Sequence, residues 1–355
     1  MSNRTYSSLK SEERVQFFEQ RAVLPLKMGT LRDGAIGAEE SPEDARRSAR
    51  RLARLTRAGL FGRNTLGARI EQATTFQELQ QAYRLVHDVY VEAGYIRPDT
   101  SGIRLRMFEA SPDEATFVAK VGERIVGVVS VASDSTGLGL PSDSCFKKEL
   151  DELRSTGAFL SEMTNQAIVP DFRKSGVATE LMRCAAAHVI SGRFDETIAV
   201  ISPNHCPFYK ILGFREVGTP RSYSATVYDP VVALSTELGQ YRRAVSDTED
   251  EAYRFVHEFM AGGNPFMLQV EEWARKAAVQ FRDSQLLRRL FISETAFITT
   301  CSNADLEFLK RIWGRRLFNS VTGRSLLTRA KTWSSALLDI FKIVDDNRSL
   351  ASEVR

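Results

Sequence analysis

The sequence predicts an α+β fold: a central, mixed and twisted sheet flanked by helices, with a helical extension at each end. Strand-like and helix-like segments alternate over residues 69–240, whereas the segments on either side have mostly helical periodicity. A chain of 355 residues is also too long for one small core. We therefore expect a basic helical extension over 1–68, a mixed domain over 69–240 and a helical C-terminal domain over 241–355.

Composition and charge indicate an ordinary soluble globular protein. Hydrophobic residues make up 43% of the chain and charged residues 26%. The net charge of +3 is too small to indicate a nucleic-acid partner. The first residues contain no apolar segment of the kind found in signal peptides, and no run of 18 apolar residues occurs. We therefore expect a cytoplasmic protein.

The cysteines indicate neither a disulfide framework nor a metal site. They are far apart and show no CxxC or metal-ligand spacing: Cys145, Cys184, Cys206 and Cys301. This pattern predicts buried thiols in a reducing compartment and no bound metal.

A basic helix is predicted near the N-terminus. Residues 41–44, Ser-Pro-Glu-Asp, form a good helix start, and the helix that follows places four arginines on one face: Arg47, Arg50, Arg54 and Arg57. One interpretation is a solvated face on a packed helix. The other is a docking surface for an acidic protein or an anionic lipid.

The elements of the central segment follow from periodicity and turn residues. A strand, an amphipathic helix and a hairpin come first, then alternating helices and strands, and a short helix ended by Gly213 precedes the last strands. In order, these lie at 68–74, 75–95, 115–134, 145–158, 159–169, 176–191, 196–202, 206–214 and 215–230.

The C-terminal segment predicts four helices, at 251–260, 267–293, 303–320 and 325–344. The last carries an apolar stripe that includes Trp333 and Phe341. We expect this stripe to pack on its own domain, with peripheral attachment to the inner membrane as the alternative.

A basic loop between a strand and a helix predicts an anion site. The stretch IVPDFRKSGVATELM, residues 168–182, contains Arg173-x-x-Gly176-x-Ala178 directly before an apolar helix. The first N–H groups of a helix have no partner within the helix and carry the positive end of its dipole, so they favour a phosphate. The pattern alone is weak, but its place between a strand and a helix strengthens it.

A second motif follows about thirty residues later. The stretch ISPNHCPFYKILGF contains a polar Asn204-His205 pair and then a short helix with Tyr209. Together, the Arg-x-x-Gly-x-Ala loop and the downstream FYKILGF resemble the Gcn5-related N-acyltransferases, the GNAT fold.

The GNAT resemblance implies how the donor is held. The loop would bind the phosphates of an acyl-phosphopantetheine thioester, with no tightly bound cofactor. The residues it implies for donor binding are Ile168, Val169, Arg173, Lys174, Ser175, Gly176, Val177, Ala178 and Asn204.

The resemblance narrows to one group. The stretches AYRLVHDVYVEAGYI, GLGLPSD and FKKELDELRSTGAFLSEMTNQAI look like the FeeM-type N-acyl amino acid synthases, relatives of the acyl-homoserine lactone synthases. The likeness covers roughly residues 69–235, about half of the chain. It implies transfer of a long fatty acyl chain to the amine of an amino acid or a similar small molecule. The donor would be the acyl thioester of acyl carrier protein or of CoA.

One position departs from the pattern of that group. An Arg often follows three residues after the strand Glu, as in E-x-x-R, whereas Asn165 stands three residues after Glu162 here. A guanidinium that could hold an acceptor carboxylate is therefore absent from this position. Arg84 on the first helix is the predicted replacement, an exposed surface Arg being the competing interpretation. Tyr90 on the same helix is a further candidate for acceptor binding.

The resemblance also implies catalytic roles. Glu162 would accept the amine proton, Tyr209 would protonate the leaving thiolate, and the backbone N–H of Val169 or Ile168 would stabilise the developing oxyanion. Pro170 has no backbone N–H and so cannot donate a hydrogen bond to the oxyanion. The competing interpretations are an ion-paired strand Glu and an ordinary core Tyr.

An apolar slot for the acyl chain is also expected. Its candidates are Tyr90, Tyr95, Phe117, Val128 and Leu140, all of which could equally be core residues.

Two other functions stay open on the sequence alone. One is a short-chain acetyl-CoA-dependent N-acetyltransferase. The other is a non-catalytic protein that binds acyl-pantetheine or lipid. If the donor is carrier-bound, the arginine face of helix 45–57 would meet the acidic carrier protein.

Overall fold

The computed structural model describes residues 64–224, 227–243, 251–280 and 283–323, and four isolated helical positions nearer the N-terminus: Glu43, Arg46, Arg50 and Ala53. All four of these residues are exposed. Of the four arginines predicted to share a face, only Arg50 is a described residue. The predicted tail helix at 325–344 lies outside the described residues.

Eight strands form the sheet, in the order β1-β2-β3-β4-β5-β8-β6, with β7 paired to β8. β4 and β5 pair in parallel, and the other described pairs are antiparallel. The strands are β1 Arg69–Gln72, β2 Ala115–Val121, β3 Arg124–Ser133, β4 Leu160–Ile168, β5 Glu196–Ile201, β6 Arg215–Glu216, β7 Arg221–Ser224 and β8 Val227–Glu237.

The parallel strands β4 and β5 separate half-way along. Their paired residues run from Leu160–Glu196 to Met163–Ala199, after which β4 continues beside β3 and β5 continues beside β8. One edge of β4, from Thr164 to Ile168, therefore faces a gap between the two strands. We call this gap the β4–β5 opening.

A β-bulge lies at the start of the opening. Ser130 pairs with Thr164 and Val128 pairs with Ala167, so two residues of β4 face one residue of β3. The first of the two, Asn165, has φ of 55°. Asn tolerates this left-handed conformation better than most side chains. The bulge thus gives a backbone reason for Asn at this position.

Among the described residues we label ten α-helices, α1 to α10 in chain order. They are α1 Phe76–Glu92, α2 Asp143–Ser155, α3 Val177–Ser191, α4 Cys206–Ile211, α5 Gly239–Arg242, α6 Glu251–His257, α7 Val270–Gln280, α8 Ser284–Arg288, α9 Phe297–Thr300 and α10 Asn303–Trp313. α6 and α8 run on as π-helical turns at Glu258–Gly262 and Arg289–Ser293, and residues 315–323 are helical too. α1 starts at a capping box made by Thr75 and Glu78.

The C-terminal helices contribute to the cores on both faces of the sheet. Residues 256–270 join the core around α3, and residues 286–321 join the core around α1. A third, smaller core lies under α2. The first core requires close packing of α3 on β3, because a Cβ added to Gly127 would lie 2.8 Å from Cγ1 of Val177. Gly127 therefore lets the start of α3 approach the sheet.

The predicted elements of the central segment are present, and the predicted fold class is confirmed. Two C-terminal predictions were wrong: residues 303–320 are interrupted at Gly314, and residues 267–293 form two helices, not one. Asp283 accepts hydrogen bonds from the amides of Gln285 and Leu286 and so caps a new helix, α8. None of the described helices has the length and apolarity needed to cross a membrane. Across the described ranges, no group of three or more His, Cys, Asp or Glu side chains could hold a metal ion.

Candidate functional site

Glu162 is a buried carboxylate on β4, next to the β4–β5 opening. It is 2% exposed and pairs with Ile198 of β5 just before the strands separate. The amide and hydroxyl of Ser142 both donate to its Oε2, at 2.9 and 2.7 Å. Burial raises the pKa of Glu162 to about 7, although these hydrogen bonds and Arg106 lower it. At neutral pH this carboxyl group therefore exists in both protonation states.

Tyr223 is close enough to Glu162 for their charges to interact. Its hydroxyl donates to the carbonyl of Pro141 at 3.4 Å, beside the Ser142 that holds the carboxylate. Burial, and secondly the Glu162 carboxylate, raise the pKa of Tyr223 to about 12. Tyr223 is thus a neutral hydrogen-bonding group throughout the physiological range.

Two arginines from the connection between α1 and β2 meet at the bulge. Nη1 of Arg104 and Nη2 of Arg106 both donate to Oδ1 of Asn165, at 3.1 and 3.2 Å. The Asn165 side chain is completely buried and its Nδ2 donates to Glu109 at 2.9 Å. A pair of guanidinium groups therefore lies beside the position where the sequence pattern lacks its arginine.

One of these arginines is neutralised by Glu109. The carboxylate of Glu109 accepts from the amide, Nε and Nη2 of Arg106. Burial by itself would raise the pKa of Glu109, but Arg106 outweighs it and holds that pKa below its usual value. Glu109 is thus an ionised carboxylate committed to Arg106.

The other arginine has no carboxylate of its own. Arg104 lies over the ring of Tyr90, 5.1 Å from its centroid, and its Nε is buried without a hydrogen-bond partner among the described residues. Burial, and secondly the neighbouring Arg106, lower the pKa of Arg104. The charge of Glu109 acts on Arg104 too, but Arg104 makes no ion pair of its own among the described residues, so this partly buried guanidinium is suited to an incoming anion.

A second buried carboxyl group lies behind the bulge. Glu114 accepts from Oγ1 of Thr116 at 3.0 Å, and Thr116 in turn contacts Oγ of Ser130 and the hydroxyl of Tyr83. Burial, and secondly the charge of Glu109, raise the pKa of Glu114 to about 8. Glu114 is therefore largely protonated at neutral pH and can take part in this network as a neutral acid.

The basic loop precedes α3 as predicted, but several of its amides already have partners within the chain. The amide of Gly176 donates to the carbonyl of Asn64, just before β1, at 3.0 Å. The amide of Ser175 donates to the Phe172 carbonyl, and the amide of Val177 to Oγ of Ser175. The loop is thus closed by the chain's own hydrogen bonds.

The side chains of this loop remain accessible. Arg173 is exposed and bridges the carbonyl of Ile168 at 3.2 Å and the carboxylate of Glu92 at 2.8 Å. Lys174 is exposed too. Both cations lie beside the carboxyl end of β4.

The oxyanion donor predicted at Val169 was wrong. Its amide donates to the carbonyl of Val126 at 3.0 Å and extends the pairing of β4 with β3. Because the hydrogen-bonding direction alternates along an antiparallel strand, the amide of the preceding residue, Ile168, points to the opposite edge. The β4–β5 opening lies at that edge.

Comparison with known proteins shows a similarity to one family. A model of the family described as N-acyl amino acid synthase FeeM matches residues 81–237, from α1 to the end of β8. Residues 81–237, somewhat less than half of the chain, are therefore similar to the FeeM family. This part of the chain is a GNAT-type N-acyltransferase enzyme, and the predicted resemblance is confirmed. A search of curated proteins found no significant match.

Solved structures are similar to the same part of the chain. FeeM, an N-acyl amino acid synthase from uncultured soil microbes, is 25% identical, with 50% of this chain and 96% of that chain covered and a TM-score of 0.44. The CoA-dependent acyl-homoserine lactone synthase BjaI is 16% identical, with 56% and 91% covered and a TM-score of 0.39. An acyl-CoA N-acyltransferase from Pseudomonas aeruginosa is 14% identical, with 48% and 99% covered and a TM-score of 0.34.

Arg84 makes no contact with Glu162 or Asn165 among the described residues. This residue is exposed on α1, and its ion pair is with Glu294 of the C-terminal segment at 3.8 Å. These contacts give the predicted role of Arg84 no support, and it stays a prediction. Tyr90, from the same helix, does reach the site through its contact with Arg104.

Tyr209 and Asn204 lie on the far side of the opening, after β5. Tyr209 is buried on α4 between the rings of Phe208 and Phe214. Burial, and secondly Tyr90, raise the pKa of Tyr209 to about 12. Asn204 is exposed in the turn before α4. The predicted roles of Tyr209 in protonating the thiolate and of Asn204 in binding the donor stay predictions.

The proposed acyl slot is not assembled from the predicted residues. Phe117 belongs to the core around α3, Val128 to the core around α1, and Leu140 to the core under α2. Tyr95 is 44% exposed and contacts Tyr90 edge-on. These residues therefore do not line one slot.

Sequence reasoning missed the residues that surround Glu162 and Asn165. They are Arg104, Arg106, Glu109, Ser142 and Tyr223. The available signal was the stretch RLRMFE, residues 104–109, in which two arginines and a glutamate occur in a loop without hydrophobic periodicity. No spacing rule, however, connects that loop to β4.

Proposed function

We propose that the enzyme transfers a long-chain acyl group from an acyl-phosphopantetheine thioester to the amine of an amino acid. The observation that carries this proposal is the buried carboxylate of Glu162 at the β4–β5 opening, with a pKa of about 7. A general base is most effective when its pKa lies near the working pH. The FeeM synthase, which is similar in structure, is described as making N-acyl amino acids.

Glu162 acts on the amine. Both Ser142 hydrogen bonds end on its Oε2, so its Oε1 is the oxygen that serves the substrate. The carboxylate accepts a proton from the attacking nitrogen, directly or through one water. Because Ser142 binds the other oxygen, the carboxylate keeps its orientation during the transfer.

Arg104 holds the carboxylate of the acceptor. Its guanidinium lies beside Asn165, three residues along β4 from Glu162, and its Nε has no hydrogen-bond partner among the described residues. A guanidinium matches a carboxylate in both charge and geometry. Arg106 is committed to Glu109 and instead keeps Asn165 and Arg104 in place.

The donor lies across the opening at the end of β4. The amide of Ile168 faces this space and is placed to donate to the thioester carbonyl oxygen as negative charge develops on it. The exposed cations Arg173 and Lys174 would bind the pantetheine phosphate beside the start of α3. A phosphate bound at the Gly176 amide would displace the Asn64 carbonyl.

The reaction is an acyl substitution in which every proton is accounted for. The amine nitrogen attacks the thioester carbon, the C–N bond forms and the C–S bond breaks. The amine proton passes to Glu162, and the pantetheine thiolate takes a proton from the Tyr209 hydroxyl or from water. With a pKa of about 12, Tyr209 assists chiefly by donating a hydrogen bond to the thiolate.

Mass spectrometry of lipid extracts would test this proposal. We expect cells that express the chain to accumulate an N-acyl amino acid that is absent with Glu162→Gln and present with Glu152→Gln, an exposed control on α2. The purified enzyme would then be assayed with the same acyl group on carrier protein and on CoA, which identifies the donor. Formation of only short N-acetyl products, or the same lipid with Glu162→Gln, would contradict the proposal.

A further inference from the structure

We propose that Trp313, in the C-terminal segment, is a positioning residue for acceptor binding. Through one backbone hydrogen bond it holds the loop that carries Arg104 and Arg106. The inference rests on the proposed role of Arg104 in binding the acceptor carboxylate. It assigns a function to a helix that lies beyond residues 81–237.

The sequence specifies where the helix of Trp313 begins and ends. Ser302 and Asp305 form a capping box at the start of α10, with the Ser302 hydroxyl accepting from the Asp305 amide at 3.2 Å. Gly314, with φ of 76°, turns the chain away directly after Trp313. Leu309 is completely buried against the core around α1. α10 is therefore anchored at both ends and along one face.

Trp313 makes a specific contact with the loop. Its indole Nε1 donates to the carbonyl of Ala110 at 2.8 Å, in a buried environment. The ring also contacts Phe291 and Phe318, with centroids 5.7 and 6.4 Å away. The position of the indole is thus determined by its own packing, which makes it a firm support for the loop.

Ala110 is adjacent to the residue that organises the guanidinium pair. The Glu109 carboxylate binds the amide and side chain of Arg106, and it also accepts from Asn165. At the other end of the loop, the amide of Arg104 donates to the Tyr83 carbonyl of α1 at 3.1 Å. The loop is therefore held at Arg104 by α1 and at Ala110 by α10.

α10 also reaches the second loop of the site. Nη2 of Arg311 donates to the carbonyl of Thr136 at 2.8 Å. Residue 136 precedes Ser142, which binds the Glu162 carboxylate. A single C-terminal helix thus contacts both loops that supply the partners of Glu162 and Asn165.

The test compares Trp313→Phe with Trp273→Phe in the full chain. Trp273 packs on the opposite face, against Phe117 and Phe266, and is a matched control. For Trp313→Phe we expect the KM for a carboxylate-bearing acceptor to rise roughly three- to tenfold, the effect of losing one buried hydrogen bond. The KM for the donor and kcat at saturation should change less than twofold. With an amine that lacks the carboxylate, the variant should match the wild type.

Hydrogen exchange gives a readout that does not depend on turnover. The amides of Arg104 and Arg106 should exchange about three- to tenfold faster in Trp313→Phe, with no change in Trp273→Phe or in β2 and β3. If Trp313→Phe does not fold, replacement of Trp313 by its isostere benzothienylalanine removes only the N–H. Unchanged exchange, or an equal rise in KM for both kinds of acceptor, would overturn the inference. Absence of turnover in the wild type would reject the proposed function, while exchange would still decide the role of Trp313.

Discussion

Nη1 of Arg104 lies 3.1 Å from Oδ1 of Asn165, although the two residues are 61 positions apart in the chain. Asn165 occupies the first residue of a β-bulge with a positive φ, a conformation that suits Asn. The guanidinium group that the E-x-x-R pattern would place at position 165 thus comes from Arg104, in the loop between α1 and β2. Position 165 of β4 can therefore be an Asn, which suits the bulge, while a guanidinium group still lies beside it.

Replacement of Arg104 should impair acceptor binding more than chemistry. For Arg104→Gln we expect the KM for an amino acid acceptor to rise about 10- to 100-fold, because a charge-assisted interaction is lost. Steady-state kinetics with the amino acid and with its decarboxylated amine would measure this. The amine should show no difference between variant and wild type. Arg97→Gln, an exposed change in the same connection, is the control; a similar effect there would contradict the assignment.

Glu162 should determine the pH dependence of the reaction. A carboxyl group with a pKa of about 7 is a base only in its ionised form, so activity should rise as pH increases through 7. Below pH 7 we expect log kcat/KM to rise with slope two, since the acceptor amine must also lose a proton. Above pH 7 the slope should fall to one.

Glu162→Gln should remove the part of the pH dependence of log kcat/KM that Glu162 contributes. We expect kcat to fall about 10²- to 10³-fold and the remaining profile to have slope one throughout. Glu152→Gln, the exposed control, should retain slope two below pH 7 and slope one above it. A variant that still shows slope two below pH 7 would assign the base to another group.

Tyr209→Phe should affect the departure of the thiol. Its pKa of about 12 favours a hydrogen bond over full proton transfer, so we expect kcat to fall only about tenfold. An aryl thioester donor, whose thiol is more acidic, should abolish the difference between variant and wild type. Tyr253→Phe, on the C-terminal segment, is the control. A loss of equal size with both donors would argue for a packing role.

Glu114 should make folding stability depend on pH. Its pKa is raised from 4.5 to about 8, so the folded state retains a proton that the unfolded state loses. The free energy of unfolding therefore falls as pH rises from about 5 to 8, by at most about 1.4 kcal/mol per pH unit from this group. Denaturant unfolding across that range should show a shallower fall for Glu114→Gln. An unchanged slope would mean that Glu114 is not the group responsible.

Much of the fold could be predicted because its signals are local. α1, the hairpin and the loop before α3 are where the residue pattern placed them. The separation of β4 from β5 could not be predicted from the same patterns, because strand pairing depends on residues far apart in sequence. The wrong assignment of Val169 follows from this, since its pairing with Val126 decides where its amide points.

The sequence by itself determined the class of the protein and one catalytic candidate. The two motifs of the donor site and the Glu of β4 lie within short stretches, so their spacing is visible without a structure. Only the tertiary structure showed which guanidinium lies beside Asn165 of β4. The sequence pointed to Arg84 and not to Arg104, yet the Arg84 side chain is exposed and Arg104 is packed against Tyr90 and Asn165. Partial burial beside Asn165 is what suits Arg104 to the proposed role, and burial is a property of the whole fold.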